Sequence, residues 1–123
     1  MPIPRIVIAA YRPKPGQAMV LFAEVRDHHP LLRSEGLATD RKPVIMTSRA
    51  GVIIEVFEWA SPDAIEEAHH NPRVQAMWAR FAACCDYVPL NTLAEAGNLF
   101  AEFETLEFDH TRPPDPPPGE RAE

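Results

Sequence analysis

The sequence predicts an α+β domain whose strands and helices follow one another in the order β-α-β-β-α-β. Three observations predict it: short β-branched runs bounded by Pro or Gly, longer segments with apolar residues at three- and four-residue steps, and two cap-then-proline signals. The chain has 123 residues, enough for one domain with its own core. We assign that domain to residues 1–108 and predict a disordered, proline-rich tail at residues 109–123.

The first strand is predicted at residues 5–12, where β-branched and other apolar residues lie between prolines. A helix then begins at Gln17, because apolar residues recur from there at helical spacing. Pro30 breaks or kinks this helix near its end, and Gly36 closes the segment. Two further strands, at residues 42–48 and 52–59, are separated by a loop of hairpin length.

Two short sequences signal the starts of the next helices. Ser61 is a suitable N-cap and Pro62 a suitable first helical residue, since the N–H that proline lacks has no partner there. Asn71-Pro72 repeats the signal, so the helix before it is short. The helix that begins at Pro72 is predicted to end at Pro89. Its apolar stripe comprises Val74, Met77, Trp78, Phe81, Cys84 or Cys85, and Val88.

The remaining segments complete the predicted sheet. Residues 91–96 are expected to form a short turn of helix. Apolar and polar residues alternate loosely along residues 99–108, which predicts a last strand. The resulting order is that of the ferredoxin-like fold, an antiparallel sheet with both helices on one face.

The strands are apolar on both faces, which predicts a homodimer. On the first strand Ile6 and Ile8 lie on one face and Val7 and Ala9 on the other, and residues 52–57 show the same pattern. Two helices cover only one face of a sheet, so the other face needs an apolar partner. A second copy of the chain is the simplest partner, and we expect the two copies to pack sheet against sheet.

Composition narrows the possible partners and location. The net charge of −6 argues against nucleic-acid binding, which needs a basic face. The N-terminal apolar run, residues 6–10, is too short for a signal peptide or a membrane span, so we expect a cytoplasmic protein without membrane contact. Cys84 and Cys85 are adjacent, a poor geometry for a structural disulfide, and are expected to be reduced, buried and inert.

Three stretches resemble the dimeric α+β barrel superfamily, the group that includes antibiotic-biosynthesis monooxygenases. They are YRPKPG at residues 11–16, EVFEWASPDAIEEAHHNPRVQAMW at residues 55–78 and FAEFETLEF at residues 100–108. The resemblance implies a dimeric α+β barrel with an apolar pocket between helices and sheet. It also implies a cofactor-independent monooxygenase acting on a small organic molecule, such as an aromatic one. The alternative is a non-catalytic ligand-binding or stress-type domain with the same pocket.

Candidate site residues follow from this hypothesis, with no metal or cofactor expected. The catalytic candidates are Tyr11 as a hydrogen-bond donor and His69 or Glu55 as a proton carrier. The substrate-binding candidates are Trp78, Trp59, Phe81 and Phe22.

Each candidate also has a purely structural interpretation. His69 either joins the buried stripe and contacts substrate or, with His70, ends a helix; a metal site is disfavoured because neighbouring helical residues diverge by about 100°. The pair His28–His29 is interpreted in the same way. Glu55 is expected to be buried mid-strand, either as a proton acceptor or paired with Arg5, Arg12 or Arg49. Both tryptophans are either core residues or pocket wall.

Overall fold

The structure, a computed structural model, describes residues 3–108. Its strands form one sheet and are β1 Arg5–Pro13, β2 Val44–Thr47, β3 Ile53–Trp59, β4 Cys85–Val88 and β5 Glu104–Thr105. Its α-helices are α1 Ala18–Ser34, α2 Pro62–Ala68 and α3 Pro72–Cys84. Two 3₁₀ turns, Leu90–Thr92 and Ala94–Gly97, follow β4, where a short helical turn is predicted.

The strand order in the sheet is β4-β1-β3-β2-β5, and every neighbouring pair is antiparallel. The first four strands have the order of a ferredoxin-like sheet, and β5 adds a short edge beside β2. The predicted α+β, ferredoxin-like fold class is confirmed.

Both cap-then-proline signals begin helices. The Ser61 hydroxyl accepts a hydrogen bond from the N–H of Ala64 at 3.1 Å, and α2 starts at the next residue. The side-chain oxygen Oδ1 of Asn71 accepts hydrogen bonds from the N–H groups of Arg73 and Val74 at 2.9 and 3.1 Å. These bonds satisfy N–H groups that have no partner within the helix, which explains why both helices start where the sequence predicts.

One face of the sheet packs against the helices and forms the main core. Side chains of β1 and β3 at odd positions face the helices, because residues alternate between the faces of a strand. Buried residues of α1 and α3 meet them, among them Leu21, Val25, Leu32, Val74, Met77 and Phe81.

The opposite face is covered only in part. Ala10, Val52 and Ile54 form a smaller core there with Leu93, and Phe103 packs against it. The chain itself therefore covers one region of the face that the sequence assigns wholly to a partner. Ile6, Ile8 and Val44 lie beyond that cover and are 58%, 52% and 51% exposed.

Two predictions about the C-terminal third are wrong. Helix α3 ends at Cys84 and not near Pro89, because Cys85 is already extended (φ −151°, ψ 168°) and pairs with Pro13 of β1. The fourth strand is thus β4, directly after α3. Residues 99–108 contribute only the two-residue β5, which pairs with Met46 and Thr47 of β2.

Helix α1 passes through Pro30 without ending there. It continues to Ser34, and Gly36 follows with φ 75°, a left-handed conformation that glycine adopts without steric cost. Within residues 3–108, no helix has the length and apolar character needed to cross a membrane. The predicted tail, residues 109–123, lies outside the described residues.

Candidate functional site

A cavity of about 410 Å³ lies between the helix-facing side of the sheet and the helices. Strands β1, β3 and β4 and helices α1 and α3 all contribute to its wall. The wall consists of Val7, Ala9, Tyr11, His28, Phe57, Trp59, Trp78 and Tyr87. Most of these side chains are aromatic or aliphatic, so the cavity suits a small molecule with flat, apolar faces.

Glu55 joins two of the groups in this wall. The Tyr11 hydroxyl donates to Oε1 of Glu55 at 2.7 Å. On the helix side, Nδ1 of His28 lies 2.8 Å from Oε1 and 3.0 Å from Oε2. One carboxylate on β3 therefore holds a phenol from β1 and an imidazole from α1.

The three groups are shielded from water. Glu55 is 0% exposed, Tyr11 3% and His28 4%. Burial, reinforced by the charge of Glu55 and the hydrogen bond to it, raises the pKa of Tyr11 well above its ordinary value of 10.0. Tyr11 is therefore a neutral phenol that donates its hydrogen bond to Glu55, and it does not act as a phenolate.

The burial predicted for Glu55 is confirmed, but the proposed arginine partners are wrong. Its partners are Tyr11 and His28. Arg49 instead donates its backbone N–H to Oε2 of Glu95 at 2.8 Å, on a different part of the molecule. A hydrogen-bonded carboxylate with a histidine partner has chemical uses that an arginine pair lacks, because imidazole both accepts and releases a proton.

The second ring nitrogen of His28 faces the cavity. In the neutral imidazole Nδ1 carries the proton, because it donates to a carboxylate, so Nε2 presents a lone pair. Nε2 has no hydrogen-bond partner among residues 3–108. No side-chain nitrogen or oxygen of those residues is both fully buried and unpartnered, so Nε2 must border open space, and the cavity is the open space that His28 lines.

His28 is not among the site residues predicted from the sequence, although the sequence contains a signal for it. Leu21, Val25, His28 and Leu32 follow one another at helical steps on the buried face of α1. A histidine inside an otherwise apolar stripe needs a polar partner in the core. The mid-strand carboxylate Glu55 is the partner that the sequence also offers.

The aromatic candidates separate into three groups. Trp59 and Trp78 both line the cavity, the first buried and the second partly buried. Phe81 lies behind the wall, with its ring centroid 5.1 Å from those of both Tyr11 and His28. Phe22 is elsewhere, against Phe108 at 4.6 Å, and does not belong to the cavity wall.

His69 is outside the cavity, at the C-terminal end of α2. The alternative that it ends a helix is confirmed, and the alternative that it joins the buried stripe is wrong, since its side chain is exposed and its Nδ1 donates to the carbonyl oxygen of Ile65 at 2.8 Å. Its ring contacts the outer side of the site through Trp78, at a centroid distance of 5.2 Å. His70 is exposed and lies 3.2 Å from Glu66, one helical turn earlier.

Two other kinds of chemistry are less well supported by the geometry. Burial raises the pKa of both Cys84 and Cys85, the latter to about 12, so the reactive thiolate form is disfavoured. Within the described part of the chain, no group of three or more His, Cys, Asp or Glu side chains is placed to hold a metal ion.

Comparison with known proteins supports the fold. No protein-family model and no curated protein sequence matches the chain. Among solved structures, the chain is similar to Rv0793 from Mycobacterium tuberculosis, with a TM-score of 0.57 and 20% sequence identity. The match covers 70% of this chain and 89% of that one. At this identity the likeness shows a shared small α+β fold and nothing about activity.

Proposed function

We propose that the chain is an enzyme that removes a proton from a small, flat, apolar organic molecule held in the aromatic cavity. The observation that supports this most directly is the position of His28, with Nδ1 on the buried carboxylate of Glu55 and Nε2 facing the cavity. A histidine oriented in this way by a carboxylate is a general base.

Glu55 contributes in two ways. It fixes the tautomer and the ring orientation of His28, and its negative charge stabilises the imidazolium that forms when Nε2 takes a proton. Tyr11 holds Glu55 from the strand side, so the carboxylate does not rotate away from His28. Tyr11 is then a positioning residue, whereas the sequence suggests a donor to substrate.

The cavity wall favours a neutral substrate with one acidic proton. None of the described residues that form the wall is a Lys or Arg, so an anionic substrate would find no counter-charge among them. A phenol meets these requirements, because its ring stacks on Trp59 and Trp78 while its hydroxyl reaches His28.

The resemblance to antibiotic-biosynthesis monooxygenases suggests an oxidation after proton removal. The phenolate ring is electron-rich and reduces O₂ without an added reductant: one oxygen atom remains on the ring as a quinone carbonyl, and the other leaves as water. For 1-naphthol the products are 1,4-naphthoquinone and water, so atoms and electrons balance. In this scheme the protein supplies the base, the orientation and a largely apolar cavity wall.

The test uses 1-naphthol as the probe, with an oxygen electrode and the absorbance of naphthoquinone as readouts. The wild-type chain is expected to consume one O₂ for each quinone formed. His28→Ala is expected to reduce the rate by about 100-fold or more, the usual contribution of a general base. His70→Ala is the matched control, since His70 is exposed at the end of α2 and should leave the rate unchanged.

His69→Ala separates the two histidine hypotheses. Loss of turnover in this variant, with His28→Ala unaffected, would contradict the assignment of His28 and support His69, the candidate taken from the sequence. A small change in KM is expected instead, because His69 contacts Trp78 from outside the cavity.

The second candidate function is a non-catalytic binding protein. The largely apolar wall favours it, since a container needs no reactive group. In that case 1-naphthol would quench tryptophan fluorescence equally in the wild type and in His28→Ala, and no oxygen would be consumed by either.

A homodimer is proposed as the assembled form. The cross-strand register places Ile8 opposite Val56, and Val56 opposite Val44, on the face away from the helices. This row of apolar side chains crosses three strands, and two of its members are more than half exposed. A second copy would remove the row from water.

A further inference from the structure

A second cavity, of about 480 Å³, lies on another side of α1. Its inner wall is apolar and includes Val25, Ile45 and Phe108. His29 is also part of the wall, so the adjacent residues His28 and His29 line different cavities. This division is expected, because side chains of neighbouring helical residues diverge by about 100°.

His29 presents a hydrogen-bond acceptor to this second cavity. Its Nε2 donates to the carbonyl oxygen of Thr39 at 2.9 Å, so in the neutral ring Nδ1 has the lone pair. His29 is only 5% exposed, and Nδ1 has no partner in the part of the chain that the structure describes. Since no fully buried side-chain nitrogen there is unpartnered, Nδ1 must border the cavity that His29 lines.

The ring of His29 is held in place from behind. The Thr39 hydroxyl donates to Oε1 of Glu58 at 2.8 Å, and the Thr39 N–H donates to the Glu58 carbonyl oxygen at 3.1 Å. Thr39 is therefore bound to β3, and its carbonyl oxygen, which accepts the hydrogen bond from His29, is held in place. A fixed acceptor beside an apolar wall selects ligands that carry a donor at the matching position.

The outer part of the cavity has more basic than acidic side chains. Arg33, Lys42 and Asp40 belong to its wall, and all three are exposed. Lys42 has no carboxylate partner among residues 3–108, and the one near Arg33, Asp40, is exposed and 3.9 Å away. Arg26, also in the wall, is paired with Asp27 at 2.9 Å. A basic rim on a chain of net charge −6 favours an anionic group at the mouth.

We propose that this second cavity binds a small carboxylate with an apolar body and a hydroxyl at its far end. The hydroxyl donates to Nδ1 of His29, the body contacts Val25, Ile45 and Phe108, and the carboxylate lies at Arg33 and Lys42. This site is separate from the aromatic cavity and does not depend on the reaction proposed there.

Three probes test the two polar requirements one at a time: 4-hydroxyphenylacetate, phenylacetate, which lacks the hydroxyl, and tyrosol, which replaces the carboxylate with an alcohol. Binding to the full chain is measured by calorimetry and by amide NMR shifts. We expect 4-hydroxyphenylacetate to bind this second cavity about 3- to 10-fold more tightly than either analogue does, the factor that one hydrogen bond or ion pair supplies. The affinity for this cavity is taken from the amide shifts of His29 and Lys42, because tyrosol, a neutral phenol, also suits the aromatic cavity. Equal affinities of the three probes for the second cavity, or no binding there, would overturn the proposal.

Charge-reversal variants locate the site. Arg33→Glu and Lys42→Glu change exposed side chains and are expected to weaken 4-hydroxyphenylacetate binding at least 5-fold. Arg5→Glu is the matched control, with the same charge change at an exposed residue outside both cavity walls. An equal effect of all three variants would show a nonspecific charge effect and contradict the site.

Amide shifts separate the two cavities. We expect shifts at His29 and Lys42, and unchanged affinity in His28→Ala. Shifts confined to Trp78 and Tyr87 would place the probe in the aromatic cavity and overturn the second site.

Discussion

Tyr11 and Glu55 are diagonal neighbours across β1 and β3. In the sheet register Tyr11 is opposite Ile53 and Glu55 is opposite Ala9, yet the Tyr11 hydroxyl reaches Oε1 of Glu55 at 2.7 Å. A tyrosine is long enough to reach a diagonal partner on the same face. A shift of one residue in this register would place the two side chains on opposite faces, so the hydrogen bond and the strand pairing depend on each other.

Removing the Tyr11 hydroxyl should destabilise the fold. Tyr11→Phe keeps the ring contacts but leaves the buried Glu55 with one donor fewer. We expect the free energy of unfolding to fall by about 1.5–3 kcal/mol, since the lost bond has a charged acceptor. Urea denaturation measures the change. Tyr87→Phe is the control. Because Tyr87 is 57% exposed, this substitution should change the free energy of unfolding by no more than about 0.5 kcal/mol.

Removing the Glu55 carboxylate should be more costly. Glu55→Ala leaves the Tyr11 hydroxyl and Nδ1 of His28 without their acceptor, and each unsatisfied buried donor costs about 1–3 kcal/mol. Glu55→Gln retains one acceptor oxygen, so its loss should be smaller. Thermal and urea unfolding would show the order wild type, Gln, Ala. Equal stability of all three would contradict the hydrogen-bonded role assigned to Glu55, and Glu104→Ala, at an exposed strand position, serves as control.

Much of the fold could be predicted because its signals are local. The caps at Ser61 and Asn71 and the β-branched runs of β1 and β3 each depend on a few adjacent residues. The fourth strand could not be predicted in this way. Cys84, Cys85 and Val88 are compatible with both helical and extended spacing, and pairing with β1, a contact distant in sequence, decides for a strand.

The site could be predicted only in part, for the same physical reason. Glu55 stands out as a charge within an apolar strand and Tyr11 as an aromatic residue on the neighbouring one. The link to His28 requires knowing which face of α1 meets β3. His69 is equally prominent in the sequence, but α2 ends before it, and the exposed C-terminal position leaves it outside the cavity.

The stability of the protein should decline at alkaline pH. Burial raises the pKa of Cys85 from 9.0 to about 12, and it raises the pKa of Tyr11 well above its ordinary value of 10.0. The unfolded chain therefore releases these protons at a lower pH than the folded chain does. Linkage then predicts full stability below pH 9.0 and a progressive loss as the pH rises towards about 12.

Urea unfolding at a series of alkaline pH values measures this decline. The part of the tyrosinate absorbance that comes from Tyr11 should be absent from the native protein above the ordinary tyrosine pKa of 10.0 and appear together with unfolding. Tyr11→Phe should flatten part of the stability decline. A native protein whose two tyrosines titrate near 10.0 would contradict the buried, Glu55-bonded position of Tyr11.

Asn71 should contribute more than a helix cap. Its side-chain oxygen Oδ1 caps α3, and its Nδ2 donates to Oε1 of Glu35 at 2.9 Å, which links α3 to the end of α1. Asn71→Ala is expected to cost about 1–2 kcal/mol, the upper part of the range for a cap. Asn71→Ser should recover the cap and lose only the link to Glu35. If Asn71→Ser and Asn71→Ala had the same urea midpoint, the cap would contribute little to stability and the hydrogen bond to Glu35 would account for the loss.

The homodimer proposal makes a prediction that separates the two faces of the molecule. Ile8 lies in the row of apolar side chains on the sheet face away from the helices and is 52% exposed, whereas Val20 is 48% exposed on α1. A lysine at either position adds one charge to a residue of similar exposure. Because a sheet-to-sheet dimer would bury Ile8 and leave Val20 in water, Ile8→Lys should dissociate the dimer and Val20→Lys should not. Size-exclusion chromatography with light scattering gives the mass: wild type and Val20→Lys should have twice the mass of one chain, and Ile8→Lys the mass of one. A wild-type monomer, or equal dissociation in both variants, would show that the exposed apolar row has another role.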